Sequence, residues 1–220
     1  MVLPDGASRR PRIIALVGID GSGKTTQAHR LAADLAARGV RASYRQNAGG
    51  RHWFGLVARR IGRRDAEDLF GRTGMLWVES LLRWLAIARA LLRSTRHREV
   101  AVMDRYAVCQ YASIRAHRGG RVAERLARLA YAIFPRPDVT FLLDVRPGEA
   151  YRRIELRGTD HESVDYLAAA TAAYRSLPEH AGFTVIDANG APDTVSRQIH
   201  AYLSHDQGVP EAVITTSGTP

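Results

Sequence analysis

Nine residues near the start of the chain, Gly18-Ile19-Asp20-Gly21-Ser22-Gly23-Lys24-Thr25-Thr26, have the types and spacing to grip a chain of phosphates. They fit G-x-x-x-x-G-K-[ST]. Gly18, Gly21 and Gly23 allow backbone turns that a Cβ would block, so successive N–H groups converge on phosphate oxygens. Lys24 sets an ammonium against the β- and γ-phosphates, and Thr25 offers a hydroxyl to Mg²⁺. A helix opening here points its positive end at the same anion. The chain holds 32 lysines and arginines, and Lys24 is the only lysine among them. Arginine serves wherever else a cation stands. The one compact ammonium sits where a forked guanidinium fits poorly.

A second group closes the apolar run Val100-Ala101-Val102-Met103, which continues as Asp104-Arg105-Tyr106. A buried strand that ends in Asp, Arg and Tyr needs a reason. Beside the phosphate loop, Asp104 can hold Mg²⁺ directly or through water. Arg105 can grip a phosphate with paired N–H bonds. The competing reading is an Asp–Arg ion pair that closes the sheet. Trp77 and Arg83 lie on a helical pattern from Gly74 to Arg93 and can reach a ligand from it, with core packing the competing reading for Trp77. Glu79 is a loose candidate for a general base. The eight histidines are scattered, and no His-Glu-x-x-His or Cys-x-x-Cys set occurs.

The elements that must position these residues follow from periodicity. Ile13-Ile14-Ala15-Leu16-Val17 is an unbroken apolar run, as a buried parallel strand requires. Ala28, Leu31, Ala32, Leu35 and Ala36 then recur at helical spacing, and Gly39 stops the helix. Further strands are expected at Val40–Tyr44, Val100–Asp104, Val139–Val145 and Phe183–Asp187. A loop over Arg45-Gln46-Asn47-Ala48-Gly49-Gly50 follows the second. Helices are expected over 53–64, with Arg59, Arg60, Arg63 and Arg64 as a solvated face, and over 107–118, 121–134, 147–157, 162–177 and 193–203. Pro147 suits the first turn of its helix. Five apolar strands alternating with helices give an α/β fold with a five-stranded parallel sheet covered on both faces.

The chain as a whole bounds the answer. Its 220 residues are the size of one domain, and 45% hydrophobic with 25% charged residues reads as globular. Residues 1–11 are expected to be a flexible leader, 12–204 the domain, and 205–220 a disordered tail. A single cysteine, Cys109, rules out an internal disulfide and suits a reducing cytoplasm. No apolar run approaches a membrane span. The net charge of +10 calls for anionic partners, and nucleotide phosphate plus solvated arginine-rich helix faces accounts for it without nucleic acid. A switch-type GTPase needs Asn-Lys-x-Asp, which cannot occur because the lone lysine is already in the loop.

What remains is a small P-loop kinase. The run Gly18 to Gln27, with Asp104-Arg105-Tyr106 downstream, closely resembles thymidylate kinases. Pro137-Asp138-Val139-Thr140-Phe141-Leu142-Leu143-Asp144-Val145, then Pro147 to Arg153-Ile154, is similar to the family's fourth strand and lid entry. Glu162 to Leu167, then Ala173-Tyr174, is similar to its post-lid helix. The resemblance spans roughly residues 12–204. It implies a P-loop fold, ATP and Mg²⁺, and transfer of the γ-phosphoryl to the 5′-phosphate of dTMP. It also implies a lid at about 153–162 whose Arg153 and Arg157 close over the phosphates, a sugar contact by Asp20, and adenine packing at Ala188-Asn189-Gly190. A homodimer is a further implication.

The chain departs from the family pattern where the acceptor is read. The family's Arg-Glu-Pro-Gly-Gly appears as Arg45 followed by Gln46-Asn47-Ala48. Its Leu-Leu-Phe-x-x-x-Arg appears as Met75-Leu76-Trp77, with Arg83 further on. Cys109 and Ala112-Ser113-Ile114 stand for its Ser and its Ala-Tyr-Gln-like element. By the same resemblance, Arg45, Trp77, Arg83, Arg105 and Tyr106 face the acceptor, with Trp77 stacking on its base. A kinase of this fold with another nucleoside or monophosphate as acceptor, and a nucleotide-binding module without catalysis, stay open as alternatives.

Overall fold

Strand β1, Ile13–Val17, is buried along its whole length because it lies in the middle of the sheet. The computed structural model describes residues 12–47, 67–158 and 162–205. The readings for 1–11, 48–50, 53–64, 159–161 and 206–220 fall outside those residues. Strands β2 (Ala42–Gln46), β3 (Val100–Asp104), β4 (Val139–Asp144) and β5 (Thr184–Asp187) join β1 in the order β2-β3-β1-β4-β5. Every pairing is parallel. Seven α-helices are described: α1 (Lys24–Ala37), α2 (Glu67–His97), α3 (Ala107–Ala116), α4 (Arg121–Tyr131), α5 (Pro147–Arg157), α6 (Val164–Ser176) and α7 (Pro192–His205). Right-handed crossovers put α1 on one face and α2, α3 and α6 on the other, and α7 packs against α1.

The order places β1 where the chain fans out to both sides. In open α/β sheets the crevice beyond the strand ends at that point takes the ligand. The loop after β1, the end of β3 and the end of β4 all meet there. Ile13↔Ala101 and Leu16↔Asp104 set β1 and β3 in register, so Asp104 stands level with Leu16, two residues before Gly18.

Two elements differ most from the sequence reading. The second strand runs two residues later than Val40–Tyr44, and Arg45 and Gln46 belong to it and not to a loop. It is an edge strand, only half buried, so its Ser, Tyr, Arg and Gln carry no apolar signature. Helix α2 begins at Glu67, ahead of Gly74, and runs on past Arg93. Ser94 is buried, Thr95 Oγ1 donates back to Leu91 O at 2.8 Å, and Arg96 and His97 favour the negative helix end. A 3₁₀ turn, Pro178–Gly182, joins α6 to β5 where no element was expected.

An ion network fastens α3, α4 and the 3₁₀ turn. Glu124 accepts from Arg115 Nε at 2.7 Å and Nη2 at 2.8 Å, and from Arg128 Nε at 2.9 Å. Arg128 also pairs with Glu179 and lies 4.4 Å over the Tyr111 ring. Hydrogen bonds from Arg115, ahead of those from Arg128 and against burial, hold the Glu124 carboxyl below its ordinary 4.5. A carboxyl with a depressed native value adds stability that is complete above its unfolded value and fades as pH falls through the native one. Glu124→Gln is therefore expected to flatten the loss of thermal stability below about pH 4.5, measured as melting temperature from pH 6 to pH 3. An acid limb identical to wild type would show that the network does not titrate.

Candidate active site

The turn after β1 is drawn tight by its surroundings. Gly18 and Gly21 have φ of 143° and 79°. A Cβ on Gly18 would lie 2.7 Å from Leu143 O in β4, and one on Gly21 would lie 2.4 Å from Ala150 O in α5. The loop is thus pressed between β4 and α5, which only glycine permits at these places. Ser22 N donates to Ile19 O at 3.2 Å, and α1 opens at Lys24. Gly21→Ala is expected to cost about 2–4 kcal/mol, through both the wrong φ and the clash with main chain. A thermal melt reads this loss, and an unchanged melting temperature would mean that α5 moves off the loop freely.

Lys24 folds back over the turn. Its Nζ donates to Ile19 O at 2.6 Å and lies 3.4 Å from Ser22 Oγ and 3.6 Å from Asp20 Oδ1. Burial lowers its pKa, helped by Arg105 and resisted by Asp20 and Asp104. Arg105 Nη2 donates to the same Asp20 Oδ1. Burial works against the Arg105 charge, but Asp20, with smaller help from Cys109 and Asp104, outweighs it and holds the guanidinium protonated. An ammonium from α1 and a guanidinium from the end of β3 therefore meet on one carboxylate of the loop.

Asp104 is buried beside them. Its Oδ2 accepts from Thr25 Oγ1 at 2.6 Å and from Tyr44 OH at 3.2 Å. Its Oδ1 is buried with no partner among the described residues. Tyr44 is pinned in turn by stacking on His29, with ring centroids 3.6 Å apart. A hydroxyl and a carboxylate side by side, with one buried oxygen unspent, form a hard-oxygen donor set that suits Mg²⁺.

Other residues singled out in the sequence lie elsewhere. Thr26 is exposed on the first turn of α1. Arg45 points to the opposite sheet face from Tyr44 and pairs with Glu99. Tyr106 is buried, and its hydroxyl donates to Pro135 O at 2.7 Å, anchoring the connection into β4. Arg83 is buried between Glu79 Oε1 at 2.7 Å and Gln110 Oε1 at 2.5 Å. Half-exposed Trp77 borders a cavity of about 220 Å³ with Ser80, Gln110 and His117. Arg153 lies within α5, where Glu149 receives its Nε at 2.7 Å and Ala188 O and Asn189 O receive its two terminal nitrogens at 2.9 and 3.0 Å. Arg157 is exposed in the last turn of α5. Asn189 Oδ1 accepts from Arg146 N at 2.9 Å, and its Nδ2 donates to Asp187 at 2.6 Å. It also borders an open cavity of about 700 Å³ with Asp144, Arg146, Thr171 and Arg175.

The family profile described as Thymidylate kinase matches residues 16–199. The chain belongs to the thymidylate kinase family. A protein named Thymidylate kinase from Xanthomonas euvesicatoria pv. vesicatoria (strain 85-10) is 36% identical over 203 residues, covering 87% of this chain and 82% of that one. Another of that name, from Xanthomonas campestris pv. campestris (strain B100), is 35% identical over 200 residues with the same coverage. A probable thymidylate kinase from Sulfurisphaera tokodaii (strain DSM 16993 / JCM 10545 / NBRC 100140 / 7) is 28% identical over 189 residues, covering 81% and 88%.

In this member of the thymidylate kinase family, sequence reasoning missed Tyr44, Asn47 and Gln110. Tyr44 and Asn47 touch Asp104 or Arg105, and Gln110 touches Arg83. A polar residue ending a strand at the ligand edge of the sheet was the available signal for Asn47. Gln110 had none beyond being an amide on an otherwise apolar helix face.

Proposed function

We propose that this chain transfers the γ-phosphoryl of ATP to the 5′-phosphate of dTMP. The bond from the γ-phosphorus to its bridging oxygen breaks, a phosphate oxygen of dTMP forms the new bond, and ADP and dTDP leave. The observation that carries this is the meeting of Lys24 and Arg105 on Asp20. One cation belongs to the donor loop and the other to the neighbouring strand, so two anions can be held against each other across a single carboxylate. An acceptor that is already an anion needs no strong base. The protein's work is to align two phosphates and offset their repulsion.

In this reading the amides of residues 18–25 cradle the donor and Lys24 leaves Ile19 O for its terminal phosphates. Arg105 exchanges Asp20 for the acceptor phosphate, and Asp20 turns to the sugar hydroxyl. Thr25 and Asp104 would hold Mg²⁺, which supplies positive charge to the transferring group. The base enters beside Trp77, with Arg83 and Gln110 at hand. Arg153 steadies the 188–190 loop against α5, and Arg157, exposed at the edge of the proposed lid, closes over the phosphates. Glu79 is committed to Arg83, which argues against a nucleoside acceptor that would need it as a base.

The test is ADP release from ATP and Mg²⁺ with a panel of nucleosides and monophosphates. dTMP is expected to give the highest kcat/KM. A preferred nucleoside would overturn the acceptor, and ATP binding without turnover would overturn catalysis.

The enzyme is further proposed to be a cytoplasmic homodimer. Leu81 and Leu85 on α2 and Val122, Leu126 and Leu129 on α4 are exposed. The two helices adjoin through Trp84 Nε1 to Ala130 O at 2.8 Å and Tyr131 OH to Ser80 O at 2.6 Å, so the leucines belong to neighbouring outer faces. Light scattering is expected to give twice the chain mass, and Leu126→Glu with Leu129→Glu to halve it. Among the described residues no helix is long and apolar enough to cross a membrane.

A further inference from the structure

Among the described residues, three other than glycine have positive φ: Arg98, Arg105 and Arg118. Arg98 follows α2 and Arg118 lies just past α3, where left-handed residues commonly end helices. Arg105 ends no helix. It follows a strand with φ of 75°, a conformation that long side chains rarely adopt. Something must hold it there.

Both flanks of its peptide are fastened. Arg105 N donates to Leu16 O of β1 at 3.0 Å. On the other side stands Asn47, fully buried just past β2. Its main-chain N–H donates to Asp104 O at 3.0 Å, extending the β2–β3 ladder by one bond. Its Nδ2 donates to Arg105 O at 2.7 Å and lies 3.3 Å from Met103 Sδ. One residue thus holds the carbonyls of both Asp104 and Arg105. The family pattern has Glu-Pro in this stretch, and neither side chain donates in its ordinary state.

We propose that Asn47 is a positioning residue. Its side-chain amide keeps Arg105 left-handed, so that the guanidinium faces the phosphate loop and not the solvent beyond the sheet edge. The consequence for catalysis rests on the reading that Arg105 grips the acceptor phosphate. The clamp acts on the acceptor side alone, because the donor loop hangs on β1, β4 and α5.

Two measurements on Asn47→Ala test this. In kinetics, the KM for dTMP is expected to rise about tenfold while the KM for ATP stays within about twofold. In thermal melts, Asn47→Ala is expected to lower the melting temperature of the wild type more than that of Arg105→Gly, because glycine takes positive φ without help. An equal drop in both backgrounds, or KM values for dTMP and ATP that rise together, would overturn the positioning role. Should Asn47→Ala fail to fold, Asn47→Asp keeps the shape and the main-chain N–H but loses the side-chain donor, and it carries the same two readouts. Undiminished dTMP turnover in Arg105→Gln would instead overturn the reading of Arg105 itself. A crippled Arg105→Gln beside an Asn47→Ala with both KM values of the wild type would overturn the clamp alone.

Discussion

Lys24→Met is expected to lower kcat by at least about 10³-fold while the protein melts within about 3 °C of the wild type. The two halves of this expectation have separate causes. Catalysis needs a charge that moves with the transferring phosphoryl group, in a site where burial strengthens every electrostatic contact. Methionine has nearly the same length and no charge, so it removes that contact and little else. For stability, the hydrogen bond to Ile19 O is lost, but so is a cation that burial disfavours. The two roughly cancel. A pH profile separates them further. The native pKa of Lys24 lies below its ordinary 10.5, so between the two values the unfolded chain binds a proton that the folded one has shed. Stability from this group therefore rises with pH through that window, and Lys24→Met should remove the rise. ADP release and thermal melts at several pH values check both halves. A kcat within tenfold of the wild type would discard the phosphate-loop assignment.

How far the sequence revealed this arrangement depends on the distance over which each signal acts. β1, β3 and α5 have the boundaries expected of them, because local chemistry sets them. Ile13–Val17 is buried and apolar, Val100–Met103 is an apolar run that carries buried Asp104 at its end, and Pro147 opens α5 at its first turn. The glycine loop was legible for the same reason: its amides, lysine and threonine are contiguous. β2 was placed two residues early because an edge strand needs no apolar run. The 3₁₀ turn at Pro178–Gly182 buries none of its residues, so hydrophobic spacing could not reveal it.

The site was legible as two motifs but not as their contacts. That Asp104-Arg105 would face Gly18–Thr25 follows from a parallel sheet in which β1 and β3 neighbour each other. That Arg105 meets Asp20 while Thr25 meets Asp104 depends on left-handed backbone at Arg105, and nothing local in the sequence marks it. Arg153 shows the same limit. The family resemblance implied a lid role for it, and its partners besides Glu149 are carbonyls 35 to 37 residues away. Arg45 lies inside β2 and not in a loop beyond it, so strand alternation turns it to the face opposite Tyr44, where it meets Glu99.

Arg105→Gln is expected to lower kcat/KM for dTMP by about 10³-fold and to leave the KM for ATP within about twofold. Glutamine retains a hydrogen-bond donor and much of the length, so what it removes is the charge and the fork. The asymmetry between the two substrates follows from where Arg105 stands. It follows β3 and reaches the loop through Asp20, whereas the proposed donor cradle is made of the loop's amides and Lys24. Arg105→Lys restores charge without the planar pair of donors, and it should recover part of the loss, to about 10²-fold below the wild type. The series therefore ranks charge against geometry at one atom's reach from Asp20. Steady-state kinetics with each substrate varied in turn gives the ranking. If both variants raise the KM for ATP as much as that for dTMP, Arg105 belongs to the donor site, and the two-anion arrangement across Asp20 is wrong.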